Sequence, residues 1–165
     1  MNVAPIKRAS TLFLKAVIVV MAVAVLVFCV FLFPMVYAEL EGGIPQFAYA
    51  IYPALMGLYA SALPFFFALY QAFQLLHFID ANNAFSAVSV HALRRIKYCA
   101  IAMSVLYAAG MPLVVVLSDL DDAPGGIVIG LAIVLAPLVV ATFAAVLQKL
   151  VQNAVDMKAE HDLTV

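Results

Sequence analysis

Residues 16–35 read AVIVVMAVAVLVFCVFLFPM, twenty positions without a charge. A helix needs about 20 apolar residues to cross a hydrocarbon core of about 30 Å. Lipid offers no partner to a bare backbone N–H or C=O, so a spanning segment is a helix or part of a closed barrel. Barrel strands alternate apolar and polar over about ten residues. This run does not alternate, and neither does 127–147, IVIGLAIVLAPLVVATFAAVL. Both read as membrane helices.

The rest of the chain agrees. Its 165 residues are 68% hydrophobic and 10% charged, where about 25% charged is usual for a soluble domain. Seventeen charged side chains cannot cover that apolar surface. A cytosolic enzyme, a disordered tail and a basic nucleic-acid binder are excluded, and no direct contact with nucleic acid is expected. Four spans are expected, at about 11–36, 53–76, 98–117 and 126–150. The fold class is therefore all-α, a polytopic membrane protein with four transmembrane helices in a bundle. No loop or tail is long enough for a separate soluble domain, so 1–165 reads as one membrane domain. The second apolar stretch, 44–79, would measure about 54 Å as a straight helix, more than a bilayer takes even with tilt. Residues 44–52 are therefore expected as an interfacial, aromatic segment ahead of the span, with Pro53 and Pro64 as kinks.

Charge placement gives sidedness. Lys7, Arg8 and Lys15 precede the first span, Arg94, Arg95 and Lys97 lie between the second and third, and Lys149 and Lys158 follow the fourth. In a four-span chain all eight basic residues lie on one side, with Asp80, Asp156, Glu160 and Asp162. The other side holds only Glu39, Glu41, Asp119, Asp121 and Asp122, so the balance is +4 against −5. The positive-inside rule puts both termini and the middle connection in the cytoplasm of a cell whose plasma membrane the chain crosses. Lys15 and Lys149 are expected to snorkel from the helix ends. Val36-Tyr37-Ala38 resembles a signal-peptidase site, but the apolar run before it is longer than the 7–15 residues of a signal core. It reads as an uncleaved first span.

The two halves share an order of features. Pro34 precedes Glu39-Leu40-Glu41 and Gly42-Gly43-Ile44, while Pro112 precedes Asp119-Leu120-Asp121 and Gly125-Gly126-Ile127. Each half closes on glutamines. This reads equally as a duplicated hairpin and as shared loop chemistry. Gly126-x-x-x-Gly130 permits close helix approach in lipid. Internal packing is its first reading, a homo-oligomer contact its second. Cys29 and Cys99 differ in depth and are expected as small buried hydrophobes rather than a disulfide pair.

Sites are sparse. No Asp, Glu, Lys or Arg lies near the middle of a span, which disfavours an ion-coupled pump. Asp119-Leu120-Asp121-Asp122 lacks the EF-hand spacing and reads as a solvated turn. No zinc spacing, nucleophile motif or phosphate-cradling glycine loop occurs, so no catalytic residue, metal or cofactor is assigned and the protein is read as non-enzymatic. Gln71, Gln74, His77, Gln148, Gln152 and Asn153 gather at the cytoplasmic ends of the second and fourth spans. They read as an intramembrane polar cluster, either bonding across helices or flooring a small-molecule pocket. Between the second and third spans Ser86 can cap a helix. Phe85, Val88, Ala92 and Ile96 then form an apolar stripe, a short interfacial helix that leads to the basic residues. Asn83, Ser86, His91, Arg94, Arg95 and Lys97, with Leu163 and Val165 of the tail, are the candidate docking face for a cytoplasmic partner. Such a tail otherwise frays.

The runs Phe78-Ile79-Asp80, Ala84-Phe85-Ser86 and Ala92-Leu93-Arg94-Arg95-Ile96-Lys97-Tyr98-Cys99-Ala100 resemble a bacterial family of small four-helix membrane proteins of unknown function. So do Asp121-Asp122-Ala123-Pro124-Gly125, Ala144-Ala145-Val146-Leu147-Gln148-Lys149-Leu150 and the ending Asp162-Leu163-Thr164-Val165. The resemblance spans the chain and is clearest from Phe78 onward. It implies a gene often beside one for a small helix-turn-helix transcription regulator, and so a partner class without a mechanism. The leading expectation is a membrane partner or controller of that regulator. The alternative is a small permease, or an export or immunity protein for an amphipathic compound, with its site near Gln74 and Gln148.

Overall fold

The computed structural model describes residues 3–42, 45–120 and 122–164. Four helices account for nearly all of them: α1 Val3–Gly42, α2 Pro45–Asp80, α3 Ala87–Leu120 and α4 Gly125–Leu163. Each is long and apolar enough to cross a membrane. The all-α, four-span fold read from the sequence is the fold observed.

The helices run further than the expected spans. At 1.5 Å per residue, the 40 residues of α1 and the 39 of α4 reach about 60 Å, against a hydrocarbon core of about 30 Å. The interfacial segment expected before Pro53 is instead the start of α2, which opens on Pro45 and carries Pro53 and Pro64 inside. Proline suits a first helical turn, where its missing N–H costs nothing. Inside a span the remaining helical bonds have no competitor, so the helix continues through each proline. The short interfacial helix expected before 98 is the first part of α3. No Gly or Pro lies between Ala87 and Ala109 to interrupt it. The tail likewise stays helical to Leu163. Gln152 Nε2 donates to Asp156 Oδ1 at 3.0 Å, and Thr164 closes the end by bonding the Glu160 and His161 carbonyls. Val165 lies outside the described residues.

Packing is sequential. Among the described residues α1 touches α2, α2 touches α3 and α3 touches α4, and no other pair meets. The bundle is thus an open row of antiparallel neighbours with α3 inside it. The α3–α4 seam is the most extensive and the α1–α2 seam the thinnest. The centre is Ala100, Met103 and Ala141, with Phe65 and Tyr107 packed against them. Most buried positions are small or polar, including Ser61, Gln71, Ser89, Ser104 and Ser118, with Val90, Leu93 and Met103 the larger apolar ones, whereas Phe13, Phe31 and Phe143 are each more than 60% exposed. That inversion of the soluble pattern follows from lipid, which is as apolar as leucine and rewards close approach and hydrogen bonding between helices instead.

One hydroxyl ties each seam. Tyr59 Oη donates to the Cys29 carbonyl across α1–α2. Tyr107 Oη donates to Ser61 Oγ at 3.1 Å across α2–α3. Ser104 Oγ donates to the Val134 carbonyl at 2.9 Å across α3–α4. The two glycines of Gly126-x-x-x-Gly130 face α3, where Cβ atoms would meet Ser118 and Met111. The motif serves internal packing. Cys29 and Cys99 are free and half-buried, on helices that do not touch.

Candidate functional site at the basic end

The polar features converge where α2 turns into α3. Helix α2 closes on Asn82, whose φ of 59° is left-handed. The Asn82 N–H bonds the Ile79 carbonyl and the Asn83 N–H bonds the Phe78 carbonyl, the paired bonds of a Schellman cap. Ser86 then caps α3: its Oγ accepts the Ser89 N–H at 3.4 Å. Ser89, fully buried, returns its hydroxyl to the Asn83 carbonyl at 3.3 Å. Two residues expected in a docking face, Asn83 and Ser86, thus hold the turn itself, the first through its backbone and the second through its side chain.

Beyond the cap, residues 88, 91, 92 and 95 share one face of α3 by helical spacing. That face meets Gln71 and Gln74 of α2. Together Gln71, Gln74, Val88, His91, Ala92 and Arg95 line a cleft of about 270 Å³, open at the surface. Gln71 is 2% exposed. Gln74 Nε2 donates to Tyr70 Oη at 2.8 Å, its i,i+4 neighbour on α2. Two groups read separately in the sequence, the glutamines and the basic residues, meet here. The lining supplies amide, imidazole and guanidinium donors, and no carboxylate.

The other candidates lie elsewhere. His77 is exposed near the end of α2. Helices α2 and α4 do not meet among the described residues, so Gln148, Gln152 and Asn153 are separated from Gln71 and Gln74 by α3, and the six do not form a single cluster. Gln148 Oε1 is buried with no hydrogen-bond partner among the described residues. Gln152 bonds Asp156 on its own helix, and Asn153 is exposed. Arg94 stands exposed beside the cleft, and the Lys97 ammonium lies 5.1 Å from the centre of the Tyr98 ring. Leu163 is exposed on the last turn of α4.

Lys15 does more than snorkel. Its Nζ bonds Asp80 Oδ2 at 2.5 Å and stands 5.7 Å from the Phe73 ring centre, fastening α1 to the end of α2. Thr11, buried one turn earlier, bonds the Lys7 carbonyl. A second recess of about 390 Å³, lined by Arg8, Ala9, Leu12 and Asp80, opens beside this clasp. The signal for it was present: Asp80 is the one acid among the basic residues of the two helix ends it joins.

Membrane depth can be read on the exposed stripe of α3. His91 and Arg94 are followed by Tyr98, Ile101 and Val105 on the same exposed face. Charge gives way to an aromatic and then to aliphatic side chains, the order of a membrane interface. The cleft, lined by His91 and Arg95, lies at the polar end of that gradient.

These features define a four-span integral membrane protein with a polar, acid-free cleft at its basic end. The chain belongs to a family described as protein of unknown function (DUF2975), whose model matches residues 35–165. It is also 52% identical over 158 residues to the uncharacterized membrane protein YoaS of Bacillus subtilis (strain 168), covering 96% of this chain and 99% of that one. No solved structure matches it.

Proposed function

We propose that this protein is a non-enzymatic membrane partner that holds or controls a small cytoplasmic regulator of helix-turn-helix type. In this reading it sits in the plasma membrane with both termini inside. The observation that carries it is the reach of α3 and α4 past the apolar belt at one end. The 11 residues from Ala87 to Lys97 extend about 16 Å, and the last turns of α4 add a helical tail ending at Leu163. His91, Arg94 and Arg95 are thereby displayed on a rigid helix rather than a loop, and a rigid display lowers the ordering cost of binding. At the acidic end the helices are joined by two short connections. The partner class comes from the family resemblance. Gln74 and Gln148, which would flank a permease site, lie on helices that do not touch, so docking is the reading carried forward.

The experiment is a pulldown from detergent extracts using a small helix-turn-helix regulator of the kind the family resemblance implies. Retention by the wild type, lost in a chain carrying Arg94→Ala, Arg95→Ala and a deletion of residues 159–165, is expected. Retention by that variant means the face is wrong. No retention by the wild type removes the proposal.

A further inference from the structure

We propose that the α2–α3 cleft is a phosphate-binding site, occupied by the phosphate of an anionic phospholipid head group or by free phosphate. Four observations on this molecule converge on it. The cleft walls supply Arg95, whose guanidinium carries five N–H donors in a fixed fork, together with the amides of Gln71 and Gln74 and the imidazole of His91. No carboxylate lines it. Among the described residues neither Arg95 nor His91 has an acidic partner, the one ion pair being Lys15–Asp80. The uncommitted charge sits against a protein wall that includes Gln71, nearly fully buried, where an anion would be screened less than on an open surface.

Position supplies the source. The cleft lies level with the change from Arg94 to Tyr98 and Ile101 along α3, the depth at which phosphates of a leaflet stand. Val88 and Ala92 supply apolar surface in its lining, against which the glycerol portion of a head group would rest. The cleft volume of about 270 Å³ suits a head group rather than a drug-sized ligand. The inference does not rest on the regulator, and no partner protein enters its test.

The test uses the full chain in detergent. Native mass spectrometry counts retained phosphatidylglycerol and phosphatidylcholine, and thermal unfolding is followed with and without inorganic phosphate. Phosphatidylglycerol is expected to be retained about tenfold better than phosphatidylcholine, and Arg95→Gln to abolish that preference, as loss of one charge-assisted contact would. Lys149→Gln removes the same charge from the same end, away from the cleft, and leaves the preference intact. Gln74→Leu, which keeps Arg95, weakens it and stands in should Arg95→Gln fail to fold. If inorganic phosphate raises the unfolding midpoint and the lipids are retained equally, free phosphate is the occupant. The inference is overturned if neither probe shows preference in the wild type, or if both cleft variants retain phosphatidylglycerol as the wild type does.

Discussion

Gly130 of α4 lies so close to Met111 of α3 that a Cβ at Gly130 would stand 3.0 Å from the methionine sulfur and 3.1 Å from Val114 Cγ1. The missing methyls at Gly130 and Gly126 both let α4 close on α3 along the largest seam among the described residues. Gly130→Ala must push both side chains, and overpacking of this kind costs about 1–3 kcal/mol. Gly110→Ala meets nothing within 4 Å and should be neutral or mildly stabilising, since alanine is the better helix former. Unfolding of the two variants in detergent compares them directly. Equal stability would mean the seam is not set at Gly130.

The Tyr107–Ser61 bond divides packing from hydrogen bonding. Ser61 Oγ also donates to the Leu58 carbonyl at 2.6 Å, so Tyr107→Phe leaves no orphaned proton. Its cost should be about 0.6 kcal/mol, the mean for such bonds in membranes. Tyr107→Ala also removes a ring packed on Ala100, Met103 and Ala141 and should cost about 3 kcal/mol or more. A small difference between the two would show that the ring packs poorly.

Asn82 holds φ at 59°, a region that glycine and asparagine enter readily and β-branched residues do not. Asn82→Gly should be tolerated. Asn82→Val should lose about 1–2 kcal/mol, read as a lower unfolding midpoint. A tolerated valine would show that the connection adopts another turn.

Lys15 and Asp80 join helices at positions 65 apart in sequence. Their side chains are 20% and 30% exposed, so the pair is open to screening by salt. Asp80→Asn should lower the midpoint in low salt and less so in high salt. The exchange Lys15→Asp with Asp80→Lys should recover part of the loss. Failure of the exchange to recover anything would assign the effect to helix capping rather than to the pair.

Sidedness is tested at the exposed connections. With Cys29 and Cys99 replaced by serine, Ala81→Cys should react with an impermeant thiol reagent only in inverted vesicles, and Ala123→Cys only in intact cells. Tags on both termini should behave as Ala81→Cys does. Labelling of both cysteines from one face would break the even-span topology.

Several features are legible in the sequence alone. The capping role of Ser86 followed from a hydroxyl residue ahead of an uninterrupted helical run. The close approach at Gly126 and Gly130 followed from small residues four apart. The helix limits were less legible. Hydropathy marks where lipid ends, whereas a helix continues into water as long as no Gly, Pro or competing side chain stops it, and so α3 and α4 overran their spans. The polar cluster was half legible. Depth placed Gln71, Gln74, Gln148 and Gln152 at one level, but level says nothing about which helices are neighbours.

The sequence by itself determined four crossings and the segregation of base from acid, because apolar length and charge add up locally along a chain. Only the tertiary structure decided that the helices stand in an open row with α3 between α2 and α4, and that Gln71 and Gln74 face His91 and Arg95. The physical reason is that spans apolar on every side carry little amphipathic signal to fix their rotation. Rotation is set instead by close contacts such as Gly130 on Met111 and by hydroxyl ties such as Tyr107 to Ser61, and these exist only once the helices have met.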